Sequence, residues 1–407
     1  MQQIYDETMK QMKYIILGGG AAGFFGAIAC ATANPDAKVM LLEASQKCLS
    51  KVRVSGGGRC NVTHSCFDPA RLVQYYPRGS KCLRGPFHHF QPQDTVEWFE
   101  SRGVKLKTES DGRMFPVTDN SETIIACLTN EAKKVGVDIR LGQGVKEIQR
   151  TENGFTLTFA KSDEIHCDRL LIATGSNRPM HSLIESLGHT VIPPVPSLFT
   201  FNTPTSPLLD LSGISLEDVS VKIQGTTLEQ RGPLLLTHWG FSGPAILKLS
   251  AWGARILHDK KYKATLLINW IPQWNQEDAF AVLAQCKQDN GTRRITTVNP
   301  FSLPRRLWLR LAPYMRWDEL SNKAMRKLVE KLKDDSYSVD GKTTFKEEFV
   351  TCGGVSLDEV NFKTMESKLC PGLYFAGEVL DIDGVTGGFN FQNAWTTSWI
   401  AGTRMGV

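Results

Sequence analysis

Residues 14–33 read YIILGGGAAGFFGAIACATA. Tyr14 to Leu17 form a short continuous apolar run, the pattern of a strand buried on both faces. The next residues are rich in glycine and then in alanine, as expected of a tight turn entering a buried helix. Gly18, Gly20 and Gly23 give G-x-G-x-x-G, and Ala21 and Ala22 complete the turn. The first glycine permits the tight turn, the second the close approach of a pyrophosphate, and the third close packing of helix on strand. The helix N-terminus adds unpaired N–H groups and a partial positive charge. Residues 39–42 make a second buried strand. It ends at Glu43 and Ala44, with the acid 20 residues beyond Gly23. There a carboxylate accepts hydrogen bonds from ribose hydroxyls and disfavours a 2′-phosphate. The pattern predicts a dinucleotide site. By itself it does not choose between FAD and NAD.

Working outward, residues 120–135 read as a helix with Ser121 as N-cap and Ile124, Ile125 and Leu128 on one side. Strands are expected at 137–141, 144–149 and 154–159, and again at Leu170–Ala173, ending in Thr174-Gly175. Alternating βαβ units followed by a meander predict an α/β fold, a mainly parallel sheet with a β excursion. Near 193 the proline-rich PPVPSLFTFNTP marks a crossing between domains. Residues 196–272 are strand-rich, and about 273–336 are helical, basic and Trp-containing. After about 345, Gly-rich turns and short strands return, up to a helix near 390–402. The economical division is a discontinuous nucleotide domain, 1–195 with 345–407, and an inserted domain at 196–344.

Two further stretches bear on the cofactor. KVRVSGGGRCN (51–61) follows the second strand by about a dozen residues. Gly56, Gly57 and Gly58 let main-chain N–H groups reach a ligand without side-chain clashes. Arg59 can place its planar cation by a phosphate or a flavin edge, and Cys60 and Asn61 close the loop. PGLYFAGEVLDIDGVTGGFNFQN (371–393) places a strand before Gly377-Glu378, then Asp381, Asp383, Gly387 and Gly388, then a helix. An acid after the strand can bind ribityl hydroxyls. The helix N-terminus can face the flavin edge where negative charge gathers on reduction. Asn390 and Gln392 are candidates for the pyrimidine edge. An NAD enzyme would leave this second cradle idle, so FAD is expected.

These stretches, with ATG (173–175), THWGFSGPA (237–245), TCGGV (351–355) and TMESK (364–368), make the chain resemble the BaiN/YhiN-like flavoproteins, which include aminoacetone oxidase-type enzymes. The resemblance covers nearly the whole chain. It implies a Rossmann-like FAD-binding domain built from both chain ends, with an inserted β-barrel and small helical bundle. It also implies FAD contacts at Gly18, Gly20, Ala22, Gly23, Glu43, 56–61, Ala173, Thr174, Gly175, Gly377, Glu378 and 387–393. Val145 would hold the adenine through its backbone.

No second G-x-G-x-x-G follows a strand, so NAD(P)H is expected only as a transient electron donor, if oxygen and substrate do not suffice. Among candidate catalytic residues His238, in LLTHWGFSGPA, can move protons near neutral pH. The alternative is a histidine bonded within a packed turn, with Ser242 as N-cap of the next helix and Pro244 in its first turn. The sequence names no substrate and no oligomeric state. Net charge is +5 over 407 residues, which demands no nucleic-acid partner. Residues 293–333 are nevertheless basic, with Trp308, Tyr314 and Trp317 interleaved. An RNA-modifying or RNA-binding flavoprotein is therefore the rival to a small-molecule oxidoreductase, and a flavin-binding regulator without turnover is a third reading. Ten cysteines without a C-x-x-C pair, no apolar run of membrane-spanning length and no export signal in residues 1–12 lead to an expected cytoplasmic location with no metal. Cys60 and Cys66 could pair as a redox disulfide, or simply be two small buried residues.

Overall fold

The computed structural model describes residues 11–160, 163–343 and 350–406. The chain divides into two compact units, Met1–Pro194 with Val350–Val407, and Val195–Phe349.

The first unit is doubly wound. Its elements begin with β1 (Lys13–Leu17), α1 (Ala21–Ala33), β2 (Lys38–Leu42), α2 (Ser50–Gly58), α3 (Ser121–Lys134) and β3 (Asp138–Arg140). β4 (Arg169–Ile172), β5 (Leu373–Phe375) and α4 (Phe389–Arg404) complete them. The parallel strands lie in the order β5-β4-β1-β2-β3, with Ile16 opposite Leu41 on one side and Leu171 on the other. Val360–Asn361 and Glu366–Ser367 extend the β5 edge antiparallel. Between β3 and β4 the chain makes the expected excursion, an antiparallel meander of Val145–Thr151, Gly154–Phe159 and Ile165–Cys167. The fold is α/β of Rossmann type.

α1 is apolar nearly all round, and Ala22 through Ala31 are buried. A helix without a polar face needs cover on both sides. The sheet supplies one side and α4 the other. At their crossing a Cβ added to Gly402 would lie 2.4 Å from the Gly26 carbonyl oxygen, and one added to Gly26 would lie 2.8 Å from Leu171. Glycine at both positions lets the first and last helices touch backbone to backbone, and this joins the two ends of the chain in one core.

Two expected caps move by one residue. α3 is capped by Asn120, whose side chain accepts from the Glu122 N–H, while the Ser121 hydroxyl donates to the Arg53 carbonyl. Pro244–Trp252 is capped by Gly243, because Ser242 ends the strand Gly240–Ser242 and its hydroxyl accepts from Thr200.

The second unit carries a seven-stranded antiparallel sheet. Its strands run in the order Asp335–Asp340, Lys263–Asn269, Ser215–Ile223, Glu229–Leu236, Gly240–Ser242, Thr200–Asn202, Lys342–Thr343. Helices Gln276–Asn290, Arg305–Leu311 and Asn322–Lys333 surround a core holding Trp270, Trp308 and Trp317. The Trp308 indole donates to the Ile295 carbonyl, which settles its polar end inside that core.

Candidate functional site

The three glycines of the first turn have different surroundings. Gly18 has φ +109°, and an added Cβ would sit 2.5 Å from the Ala173 carbonyl oxygen. A Cβ on Gly23 would be 1.7 Å from the Gly18 carbonyl oxygen. Both glycines are required by the protein's own packing. Gly20 differs: φ is −90° and ψ −169°, conformations open to any residue, and a Cβ there would meet nothing within 4 Å. The space in front of Gly20, at the N-terminus of α1, is open. No acidic side chain stands in the first turn of α1 to compete with an anion.

Glu43 braces this turn. One carboxylate oxygen accepts from the Gly19 N–H at 2.6 Å and the other from the Ser45 N–H at 2.8 Å. The Gln143 N–H donates to the Glu43 carbonyl and the Gly142 N–H to that of Ser45. Val145, half-buried, therefore begins its strand beside exposed Ala44.

The triple-glycine stretch leaves α2 through a kink. Gly56, Gly57 and Gly58 have φ of +58°, +68° and +83°, and a Cβ on Gly57 or Gly58 would meet nothing within 4 Å. Cys60 is buried with φ +60°, and burial pushes its thiol up to about 12. It and Cys66 are both free, so no disulfide joins them. Asn61, with its amide turned to satisfy both groups, donates to the Thr63 carbonyl and accepts from the Gly388 N–H, each at 3.0 Å. It thus fixes the start of α4. Arg59 pairs with Glu109 at 2.6 Å, and its guanidinium lies 4.0 Å over the Phe115 ring.

The C-terminal cradle adjoins the first turn. Gly377 has φ +75°; a Cβ there would be 2.8 Å from that of Ala22, and its N–H donates to the Thr397 hydroxyl. Gly175, which follows buried Ala173 and half-buried Thr174, has φ +61°. It lies against the Glu378 carboxylate, one oxygen of which would be 3.4 Å from a Cβ added to this glycine. Glu378 accepts from Lys51 Nζ at 2.6 Å and from the Thr351 N–H at 3.2 Å. Asp381 is buried. Asp383 is fully buried in a two-pronged pair with Arg78, so its carboxylate is satisfied by the protein. Gly387 and Gly388 have φ of +134° and +93°, with Thr63 and Phe389 packed where side chains would be.

The two amides assigned to a pyrimidine edge are used within the fold. Asn390 closes a ring on Gly384, accepting from its N–H at 2.8 Å and donating to its carbonyl at 2.9 Å. Gln392 is sealed in the core. Its carbonyl accepts from Thr63 and Thr95, and its amide donates to Thr396. The register of α4 turns Gln392 inward, which no local pattern announces. Sequence reasoning also missed Lys51 and Arg78. Each finds its acid more than 300 residues away, so no spacing signal exists.

His238 is exposed at the tip of a hairpin, beside exposed Trp239, with ring centroids 6.4 Å apart. It is not packed in the turn. Thr237 and Gly240 close the tip through main-chain and hydroxyl bonds.

An open α1 N-terminus, an acid at the end of β2 and a second glycine-lined turn from the far end of the chain together fit an extended dinucleotide such as FAD. The profile of the HI0933-like protein Rossmann domain matches residues 12–404. The chain belongs to the HI0933-like family. It is 30% identical to the ribosomal RNA dihydrouridine synthase of Escherichia coli (strain K12), over 96% of this chain and 97% of the other. It is 28% identical to the 3-dehydro-bile acid delta(4,6)-reductase of Clostridium scindens, over 95% and 97%. The 3-ketosteroid-delta4-(5alpha)-dehydrogenase of Rhodococcus jostii shares the fold at a TM-score of 0.50 and 12% identity, with 98% of each chain covered. The resemblance to BaiN/YhiN-like flavoproteins therefore holds, and the chain is an FAD-dependent oxidoreductase. Among the described residues, no helix is long and apolar enough to cross a membrane.

Proposed function

We propose that this enzyme reduces a carbon–carbon double bond conjugated to a ring carbonyl in a small molecule, with transiently bound NAD(P)H as electron donor, in the reducing environment of the cytoplasm. The observation that carries the cofactor assignment is the open space at Gly20, in the turn between β1 and α1. The bond class is supported by two relatives of similar identity. Their names differ in substrate but share saturation of such a bond: a uridine ring in one, a delta(4,6) bile acid ketone in the other.

Bound FAD supplies two-electron hydride chemistry. The chain's part is to hold it. N–H groups of the Gly18–Gly23 turn and the α1 N-terminus take the pyrophosphate. Glu43 takes a ribose hydroxyl with the lone pairs left after bracing Gly19 and Ser45. Val145 holds the adenine by its backbone, and the Gly56–Asn61 loop, Ala173–Gly175, Glu378 and the Gly387–Gly388 turn border the rest. Asp381 is a candidate ribityl ligand. Asp383 acts through Arg78 to shape that turn.

The test is anaerobic. Purified protein is loaded with FAD and mixed with NADH or NADPH, and loss of flavin absorbance is followed; a conjugated cyclic enone or uridine is then added. Recovery of the oxidised spectrum with one saturated product per flavin supports the reading. A flavin that no nicotinamide bleaches, or that no conjugated ring reoxidises, overturns it.

A second reading, RNA as substrate, draws on one surface. Tyr314 is 77% exposed, and the Arg294 guanidinium lies 4.2 Å over its ring, a platform suited to a base. Much of the surrounding charge is balanced within the protein: Arg310 by Asp210, Arg316 by Asp318, Arg326 by Glu277. Salt-sensitive RNA retention, lost in Arg294→Glu/Tyr314→Ala, would favour this reading over the first.

A further inference from the structure

The geometry points to Lys51 as the cation that receives the cofactor's pyrophosphate, held over the ligand groove by Glu378 until the cofactor arrives. This rests on the FAD reading above. α2 begins against the first turn: the Leu49 N–H donates to the Gly19 carbonyl at 2.8 Å, and Cys48 packs on Gly19. From there Lys51 extends to Glu378 at the end of β5. In the sheet, β1 and β4 lie between β2, which leads to α2, and β5. The contact therefore lies along the edge where ligands of such sheets bind. The Glu378 oxygen that meets Lys51 is the one 3.4 Å from a Cβ placed on Gly175, so the ammonium stands near the turn that follows β4.

Charge decides what this cation is for. Among the described residues, Glu43 and Glu378 bring two carboxylates to this edge, and a pyrophosphate adds two more negative charges. The turn itself offers only N–H dipoles. Arg59 and Arg78, the other cations near the cradle, are held by Glu109 and Asp383. Lys51 is 54% exposed, on a flexible stem, and its pair with Glu378 is a surface pair of small worth. Moving the ammonium from Glu378 to the phosphate gives up that surface pair and leaves the Glu378 carboxylate to a sugar hydroxyl.

The test compares FAD binding to apoprotein, read by flavin fluorescence at several salt concentrations, in wild type, Lys51→Met, Lys51→Arg and Glu378→Gln. Lys51→Met is expected to raise the Kd for FAD about tenfold, equal to ~1.4 kcal/mol, and to flatten its salt dependence, because a screened charge pair has been removed. Lys51→Arg keeps both near wild type. The thermal midpoint of the apoprotein stays the same in Lys51→Met. In the Glu378→Gln background, Lys51→Met still weakens FAD and competing ADP. Unchanged affinity and salt dependence in Lys51→Met overturn the assignment, as does disappearance of its effect once Glu378 is neutral. Wild-type protein that takes up no FAD at all would instead overturn the FAD reading itself.

Discussion

Replacing Gly20 with valine separates what the fold needs from what the ligand needs. Its backbone angles of −90° and −169° suit a β-branched residue, and an added Cβ touches nothing within 4 Å. Replacing a glycine in such a conformation stiffens the unfolded chain and stabilises the folded one by about 0.4–1 kcal/mol. The same side chain fills the space a pyrophosphate must enter. Loss of two charge-assisted hydrogen bonds from the turn, at about 1.5–3 kcal/mol each, weakens binding by ~3–6 kcal/mol, or roughly two to four decades in Kd. The assay pairs urea unfolding of the apoprotein with an FAD titration. Gly20→Val should unfold at the same or higher urea and fail to hold FAD through gel filtration. The control is Gly23→Ala, where the methyl would lie 1.7 Å from the Gly18 oxygen and the fold itself should suffer. A Gly20→Val protein that binds FAD like wild type would refute the placement of the pyrophosphate. So would one that fails to fold, because the space would then not be open.

Glu43→Ala removes the acceptor for the Gly19 and Ser45 N–H groups; about 1.5–3 kcal/mol of apoprotein stability should go, together with roughly a tenfold loss in FAD affinity, and an unchanged Kd would remove the ribose role. Asp383→Asn keeps the shape but leaves Arg78 without its anion, and should destabilise by about 3–5 kcal/mol in urea; an unchanged midpoint would show that the pair contributes nothing. Burial holds the Cys30, Cys60 and Cys167 thiols at about 12, against 9.0 for a free thiol. Their folded pKa is raised, so the unfolded chain releases these protons first, and the stability they contribute is whole below pH ~9 and declines towards pH ~12. Chemical denaturation at pH 8 and pH 10 should show the loss, reduced in Cys60→Ala; an identical pH slope in that variant would refute it.

The fold was legible where chemistry is local. Ile15 to Leu17 and Val39 to Leu42 announced buried strands by composition. Gly18, Gly20 and Gly23 announced a turn, and Glu43 its acid. Return of the chain to its first domain could be read from glycines on either side of a different texture. What escaped was anything decided by partners far away in sequence. Gln392 looks like a ligand amide until Thr63 and Thr95 are seen to surround it. Arg59 finds its anion, Glu109, 50 residues on, where no spacing pattern announces it. Ser121 looks like a cap, but the Arg53 carbonyl takes its hydroxyl and Asn120 becomes the cap instead.

The glycine contact between α1 and α4 has a consequence for synthesis. The 356 residues from Ala33 to Phe389 must be translated after α1 before its outer face can be covered. At about 5–20 residues per second, that leaves a greasy first helix waiting ~20–70 s for its lid, with no polar side to show to water. A nascent chain in that position is a natural client for chaperones, and truncation before Phe389, which removes α4, should leave a protein that aggregates rather than one that merely lacks cofactor.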